Sequence, residues 1–196
     1  MGEIKSAFER AMERTADIKS DPEALHKNEA RTEGKRLFAK LREAETFDIV
    51  GALKSIDKGK RRWVRDGFYE VVKANLVLPQ SERDLDDLGL IQRALEALVR
   101  DSGHIKGLID QLRQFLTQYL SDRDQYIERL RQQYEPRIRQ REQQLSQQYG
   151  RPVQIDPATD PEFAKILQEN LAELQTHYRQ ALEGALAQLD AMIDKG

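Results

Sequence analysis

The sequence predicts an all-α protein in which short N-terminal helices precede a long, coiled-coil-like antiparallel hairpin of two helices. Three observations carry that expectation. Apolar residues recur at steps of three and four, no run in residues 1–103 alternates with period two between turn signals, and from Ile105 onward the spacing lengthens to an eleven-residue repeat. Composition agrees. With 39% hydrophobic and 34% charged residues, the chain suits elongated helices, which solvate more surface for each buried residue than a ball does.

Ile4, Phe8, Ala11, Met12 and Thr15 place a short amphipathic helix over residues 3–18. Ser20 or Asp21 then caps a second helix from Pro22 to Ala44, with Pro22 in its first turn and Glu23 placed to complete a capping box. Its apolar face is thin (Leu25, Ala30, Leu37, Phe38, Leu41), and Gly34 marks a weak point in its middle. Thr46 is the expected cap of a third helix carrying Phe47, Ile49, Val50, Leu53 and Ile56. Trp63, Val64, Phe68, Val71, Val72 and Leu76 define a fourth, which Pro79 stops near Leu78. Ser81 reads as the cap of a fifth, with Leu85, Leu88, Ile91, Leu95, Leu98 and Val99 on one face. Ser102-Gly103 then marks a stop or bend.

Residues 104–149 read as one helix about 70 Å long. Ile105, Leu116, Ile127, Ile138 and Tyr149 stand eleven apart, and Leu112, Tyr134 and Leu145 follow the same period, with Arg123 in the missing place. An eleven-residue repeat drifts little in an unstrained helix, so a nearly straight or slightly right-handed pair is expected. Pro136 removes one backbone bond and predicts a kink around Gln132–Pro136. The connection 150–159 holds Gly150, Pro152 and Pro157. It also holds Val153 and Ile155, which either cover the end of the hairpin core or form a recognition element. Asp160-Pro161-Glu162 opens a last helix with Phe163, Leu167, Leu171, Leu174, Tyr178, Ala181, Ala185, Leu189 and Met192 in one row. Ala181 and Ala185 are small where Tyr119, Leu120 or Arg123 of the partner would sit. The expected division is therefore a helical part at 1–103 and the hairpin at 104–196.

Composition also narrows function. The net charge of -2 gives no overall attraction to nucleic acid or acidic membranes. Charge is nonetheless uneven: residues 51–100 hold ten Lys and Arg against eight acids, and residues 151–196 hold four against eight. Without cysteine there is no disulfide, thiolate zinc site or thiol nucleophile. No segment has the roughly 18 apolar residues of a membrane span, and a cytoplasmic protein is expected.

No hydrolase motif and no Gly-rich phosphate loop is present, Gly59-Lys60 being an isolated pair, so no catalytic residue and no cofactor is assigned. Glu23 and His26 share the Glu-x-x-His spacing of helical metal sites, and Asp101 and His104 offer a similar pair. The further carboxylates such sites need are missing from the pattern, and Glu23 doubles as a cap. His177 sits beside Tyr178 on the last helix. The basic run Lys58, Lys60, Arg61, Arg62 and Arg65 around Trp63, within residues 54–65, is what a phosphate backbone and an unstacked base would use. The competing reading buries Trp63 within a solvated basic rim. Farther on, Arg129, Arg131, Arg137, Arg139 and Arg141 interleave with Glu128, Glu135 and Glu142, which favours ion-paired surface over a phosphate track.

The opening Gly2-Glu3-Ile4-Lys5-Ser6-Ala7, with Asp156-Pro157 and Asp160-Pro161-Glu162-Phe163, resembles a family of uncharacterised bacterial all-helical proteins. That resemblance implies a bacterial cytoplasmic setting and carries no activity. The expectation is a non-catalytic scaffold or adaptor whose hairpin binds a protein partner or a second copy. Nucleic-acid binding through residues 54–65 is the first alternative and a helical metal-binding enzyme the second.

Overall fold

The computed structural model describes residues 22–99 and 102–193, and among them every regular element is helical, with no strand. The elements are α1 (Pro22–Glu43), α2 (Ile49–Ser55), α3 (Arg61–Ala74), α4 (Asp87–Leu98), α5 (Gly103–Tyr149) and α6 (Pro161–Ile193). Two 3-10 turns, Glu82–Leu85 and Pro157–Thr159, complete the order. The expected helix at 3–18, the expected cap of the second helix at Ser20 or Asp21, and Asp101 lie outside the described residues. The chain divides into two compact units, 1–71 and 72–196.

In the first unit, the buried stripe of α1 runs Ala30, Gly34, Phe38, Leu41. Gly34 is therefore no weak point. A Cβ there would lie 2.0 Å from the Val64 carbonyl oxygen, and one on Gly67 would lie 2.1 Å from that of Arg31. The two glycines let the backbones of α1 and α3 meet, which periodicity along one helix cannot reveal. Phe38 and Phe68 pack edge to face beside them, with ring centroids 5.8 Å apart. α2 starts two residues later than Thr46 would allow, because the Asp48 carboxylate accepts from the Gly51 N–H at 2.8 Å and caps the helix.

In the second unit, α3 ends at Ala74, before the limit that Pro79 sets. Ser81 introduces a 3-10 turn rather than a long helix, with Asp84 Oδ2 accepting from the Gln80 and Ser81 N–H groups at 2.7 and 2.9 Å. Those bonds, the Gln80 one first, hold the Asp84 carboxyl below its ordinary pKa. α4 packs its buried face, Leu88, Ile91, Ala94, Leu95 and Leu98, on α5, where Ile105, Ile109 and Leu112 are buried. A hydrophobic core thus forms on both sides of residue 103, and α4 belongs to the same compact unit as the long helices.

α5 is 47 residues long and passes through Pro136 without a break. Gly150, at φ 65°, ends it in the left-handed conformation that glycine adopts freely. Along the eleven-residue rows Ile105, Leu116 and Ile138 are buried, but Tyr149 is exposed. α5 and α6 touch through Tyr119 on Tyr178 and Tyr134 on Phe163, with ring centroids 5.1 and 5.2 Å apart. Leu182 is buried where Ala181 was expected to face the partner, and Ala181 is exposed. Arg123 leaves that seam, its guanidinium donating to the Gln80 carbonyl at 2.7 Å and to Asp124. Among the described residues, no helix is long and apolar enough to cross a membrane.

Candidate functional site

Two regions collect the residues singled out in the sequence. The first surrounds Trp63 at the start of α3. Arg61 donates from one guanidinium nitrogen to the carbonyls of Lys54 and Ile56, both at 2.9 Å, and so closes the C-terminal end of α2. Asp57 accepts the Gly59 N–H at 2.8 Å, shaping the turn between the helices. Lys60 pairs with Glu33 at 2.7 Å, and that bond and charge push the Lys60 pKa above its ordinary value. Trp63 itself is half-buried, with Lys27, Arg31 and Arg62 at 5.0, 5.9 and 5.5 Å from its ring centroid. Lys58 is exposed and Arg65 half-buried.

The recess beside Trp63 measures about 680 Å³, and its charged lining is Glu23, Glu29, Glu33 and Asp57 against Lys27 and Lys60, with His26 among them. A surface for phosphates would have the opposite balance. Glu23 and His26 do not converge on a common point: Glu23 pairs with Lys27 at 2.7 Å, and His26 Nδ1 lies 3.7 Å from Glu29. The Lys27 bond holds the Glu23 carboxyl below its usual pKa. Among the described residues no three His, Asp or Glu side chains gather as a metal would require. His177 is exposed and edge-on to Tyr178.

The second region is the end of α5 and α6 that holds Val153 and Ile155. Ile155 packs with Leu130, Ile166 and Leu167 against the buried Tyr134, Ile138 and Phe163. Its backbone N–H donates to Glu142 at 2.8 Å, and that of Val153 donates to Ser146 at 2.9 Å, so the connection folds back onto α5. At the centre stands Asp160, 3% exposed. Its carboxylate accepts the Glu162 and Phe163 N–H groups at 2.8 and 3.1 Å, as an N-cap does, and the Arg141 guanidinium at 2.8 Å. The Tyr134 hydroxyl lies 3.4 Å away. Those backbone bonds, with Arg141, hold Asp160 below the usual carboxylate range, while burial and then the Asp160 charge raise Tyr134. A carboxylate so fully engaged positions the helix start and has little capacity left to move a proton.

A third group, Asp122 with Tyr178, is not legible in the sequence. The Tyr178 hydroxyl donates to Asp122 in a short bond, and Gln118 also donates to Asp122 at 2.7 Å. Burial first, then Asp122, push Tyr178 up to about 12. Tyr178 stood in the apolar row of its helix, and only the register between α5 and α6 brings Asp122 to it.

Residues 50–191 match a family of unknown function, DUF6657. The chain belongs to that family. The matched stretch takes in Trp63, the Asp122–Tyr178 pair and the Asp160 cluster, and leaves out Glu23 and His26. No curated protein and no solved structure matches the chain.

Proposed function

We propose that this chain is a non-catalytic helical scaffold or adaptor. In this reading α5 and α6 form an antiparallel, coiled-coil-like hairpin that associates with a second copy or with another helical protein. The observation that carries the reading is the order of the contacts between the two helices. Tyr119 meets Tyr178, Tyr126 bonds Asn170 at 2.9 Å, Tyr134 meets Phe163 and Arg141 bonds Asp160. One residue number falls as the other rises. Between these contacts Ile127, Leu130, Leu167, Leu171 and Leu174 are only half-buried. Two helices cover one side of such a seam, and a further helix would remove the rest from water. A bacterial cytoplasmic setting belongs to the same proposal and rests on the cap and turn motifs.

Sedimentation velocity over a concentration series tests it, alongside Ile127→Glu and Leu171→Glu variants whose helicity is checked by circular dichroism. The expected result is association that both variants weaken. A chain monomeric at every concentration, with no helical partner cross-linking to α5 or α6, would sink the reading. The nucleic-acid alternative has weaker support, because Lys60 and Arg61 are engaged within the chain and carboxylates outnumber lysines at Trp63.

A further inference from the structure

One side of the pair α5 and α6 is bordered by opposite charges. On α5, Tyr126, Arg129, Gln133 and Arg137 follow one another at steps of three and four, and on α6 Glu162, Ile166, Glu169 and Glu173 do the same, so each set forms one row on its helix. Asn170 stands one turn beyond Ile166. Its bond to Tyr126 at 2.9 Å and the approach of Arg137 to Glu162 at 3.6 Å put the two rows on the same side of the pair. Arg129, Gln133, Arg137, Glu162, Glu169 and Glu173 are exposed, and Tyr126, Leu130, Ile166 and Asn170 between them are half-buried. A partly apolar strip therefore has arginines along one border and glutamates along the other. The remaining charges near the rows are engaged within the chain: Asp122 accepts from Tyr178 and Gln118, and Lys165 lies 3.9 Å from Glu169.

We propose that this strip binds a second copy of the chain about a two-fold axis that runs along the helices, so that α5 of each copy lies on α6 of the other. The proposal rests on the hairpin reading above and adds the occupant, the face and the axis. Two such faces stack about a two-fold axis in two ways. With the axis across the helices, α5 lies on the partner's α5, and arginines meet arginines while glutamates meet glutamates. With the axis along the helices, every arginine row meets a glutamate row, and neighbouring helices run antiparallel throughout, as in a four-helix bundle. Like charges in contact oppose the first arrangement and opposite charges favour the second. Rotation about an axis along the helices also preserves height. Within one chain Arg137 is level with Glu162, and the pairing of Tyr126 with Asn170 sets Arg129 within about one helical turn of Glu169. The same levels hold between copies, so the rows meet in register.

Sedimentation velocity on the full chain is the test, with Arg129→Glu, Glu169→Lys and the chain carrying both, each checked for helicity by circular dichroism. The parent is expected to dimerise with an affinity that falls as salt rises. Each single reversal repeats twice in the dimer and should raise Kd about tenfold, and the double reversal should recover the parent value. Because the chain has no cysteine, Gln133→Cys and Ile166→Cys can be made in separate chains, mixed and treated with a short bismaleimide. The mixture is expected to give more cross-linked dimer than either variant alone. A parent chain that stays monomeric at every concentration overturns the proposal, and capture of another helical protein by α5 and α6 would then leave the adaptor reading standing. Dimerisation that neither reversal changes, or that the double reversal fails to recover, overturns the face and the axis while leaving self-association intact. Gln133→Cys linking chiefly to itself does the same, since it puts α5 on α5.

Discussion

At the residue scale, single atoms decide two properties of this chain. Gly67 lies where the backbone of α1 passes, and a Cβ there would meet the carbonyl oxygen, carbonyl carbon and Cα of Arg31, all within 2.6 Å. Backbone cannot swing aside as a side-chain tip can, so the helices must separate. Gly67→Ala is expected to destabilise the fold by about 2–3 kcal/mol despite the better helix propensity of alanine. Urea unfolding of the two proteins measures this, and an unchanged midpoint would refute the close approach. The second property is alkaline stability. Folding raises Tyr178 to about 12, whereas an unfolded tyrosine titrates near roughly 10. Between those values the folded chain holds a proton that the unfolded chain has lost. The stability this contributes is complete below about pH 10 and disappears as pH rises toward 12. Asp122 acts at the other end: its bonds to Tyr178 and Gln118 hold it below the usual range. Its contribution is therefore present above about pH 4 and lost as pH falls through the lowered pKa. Tyrosinate absorbance should show Tyr178 and Tyr134 titrating later than an ordinary tyrosine, and Asp122→Asn should bring the Tyr178 transition to lower pH.

At the element scale, most of the helices were legible because each encodes its own buried stripe. α5 and α6 begin and end within a residue or two of the limits read from spacing, Gly150 and Pro161. Most of what was not legible depends on a second element. Gly34 reads as a defect along α1 and becomes a contact point only when α3 is present. Arg123 fills an apolar row in the sequence, yet its guanidinium reaches the Gln80 carbonyl, 43 residues away in the chain. Asp48 prevails over Thr46 as a cap because its carboxylate reaches the Gly51 N–H, a choice that rests on one turn of local backbone. Pro136 is the opposite case: residues 104–149 read as one helix despite the cost of the proline, and α5 runs through it without a break. Proline there supplies no N–H for the Gln132 carbonyl, and its ring crowds that oxygen. Since position 136 is exposed, alanine restores the bond without disturbing a core. Pro136→Ala should raise stability by about 1–3 kcal/mol, read from thermal unfolding. A lower melting temperature would mean that the proline sets a bend on which neighbouring contacts depend.

At the scale of the whole molecule, the near balance of charge hides how the charges are used. A chain with net charge -2 can still bind nucleic acid if its cations are gathered and unengaged, which is what the run from Lys58 to Arg65 suggests in sequence. In the folded chain Arg61 caps α2 through two carbonyls, Lys60 is bonded to Glu33, and Arg62 stacks by Trp63 together with Lys27 and Arg31. The ring face a base would use is shared with cations, and the recess beside it holds more carboxylate than ammonium. Freeing Lys60 would require breaking a bond to a carboxylate for each phosphate gained, with no counterion release to favour the exchange. The emission of Trp63, the only tryptophan, should therefore stay unchanged when single- or double-stranded DNA or RNA is added at low salt. Glu33→Gln releases Lys60 and removes one opposing charge, and it is expected to introduce weak, salt-sensitive quenching that the parent lacks. Quenching of the parent itself, declining steeply as salt rises, would return the basic run to the surface as a nucleic-acid site and count against the ion pairs that hold it.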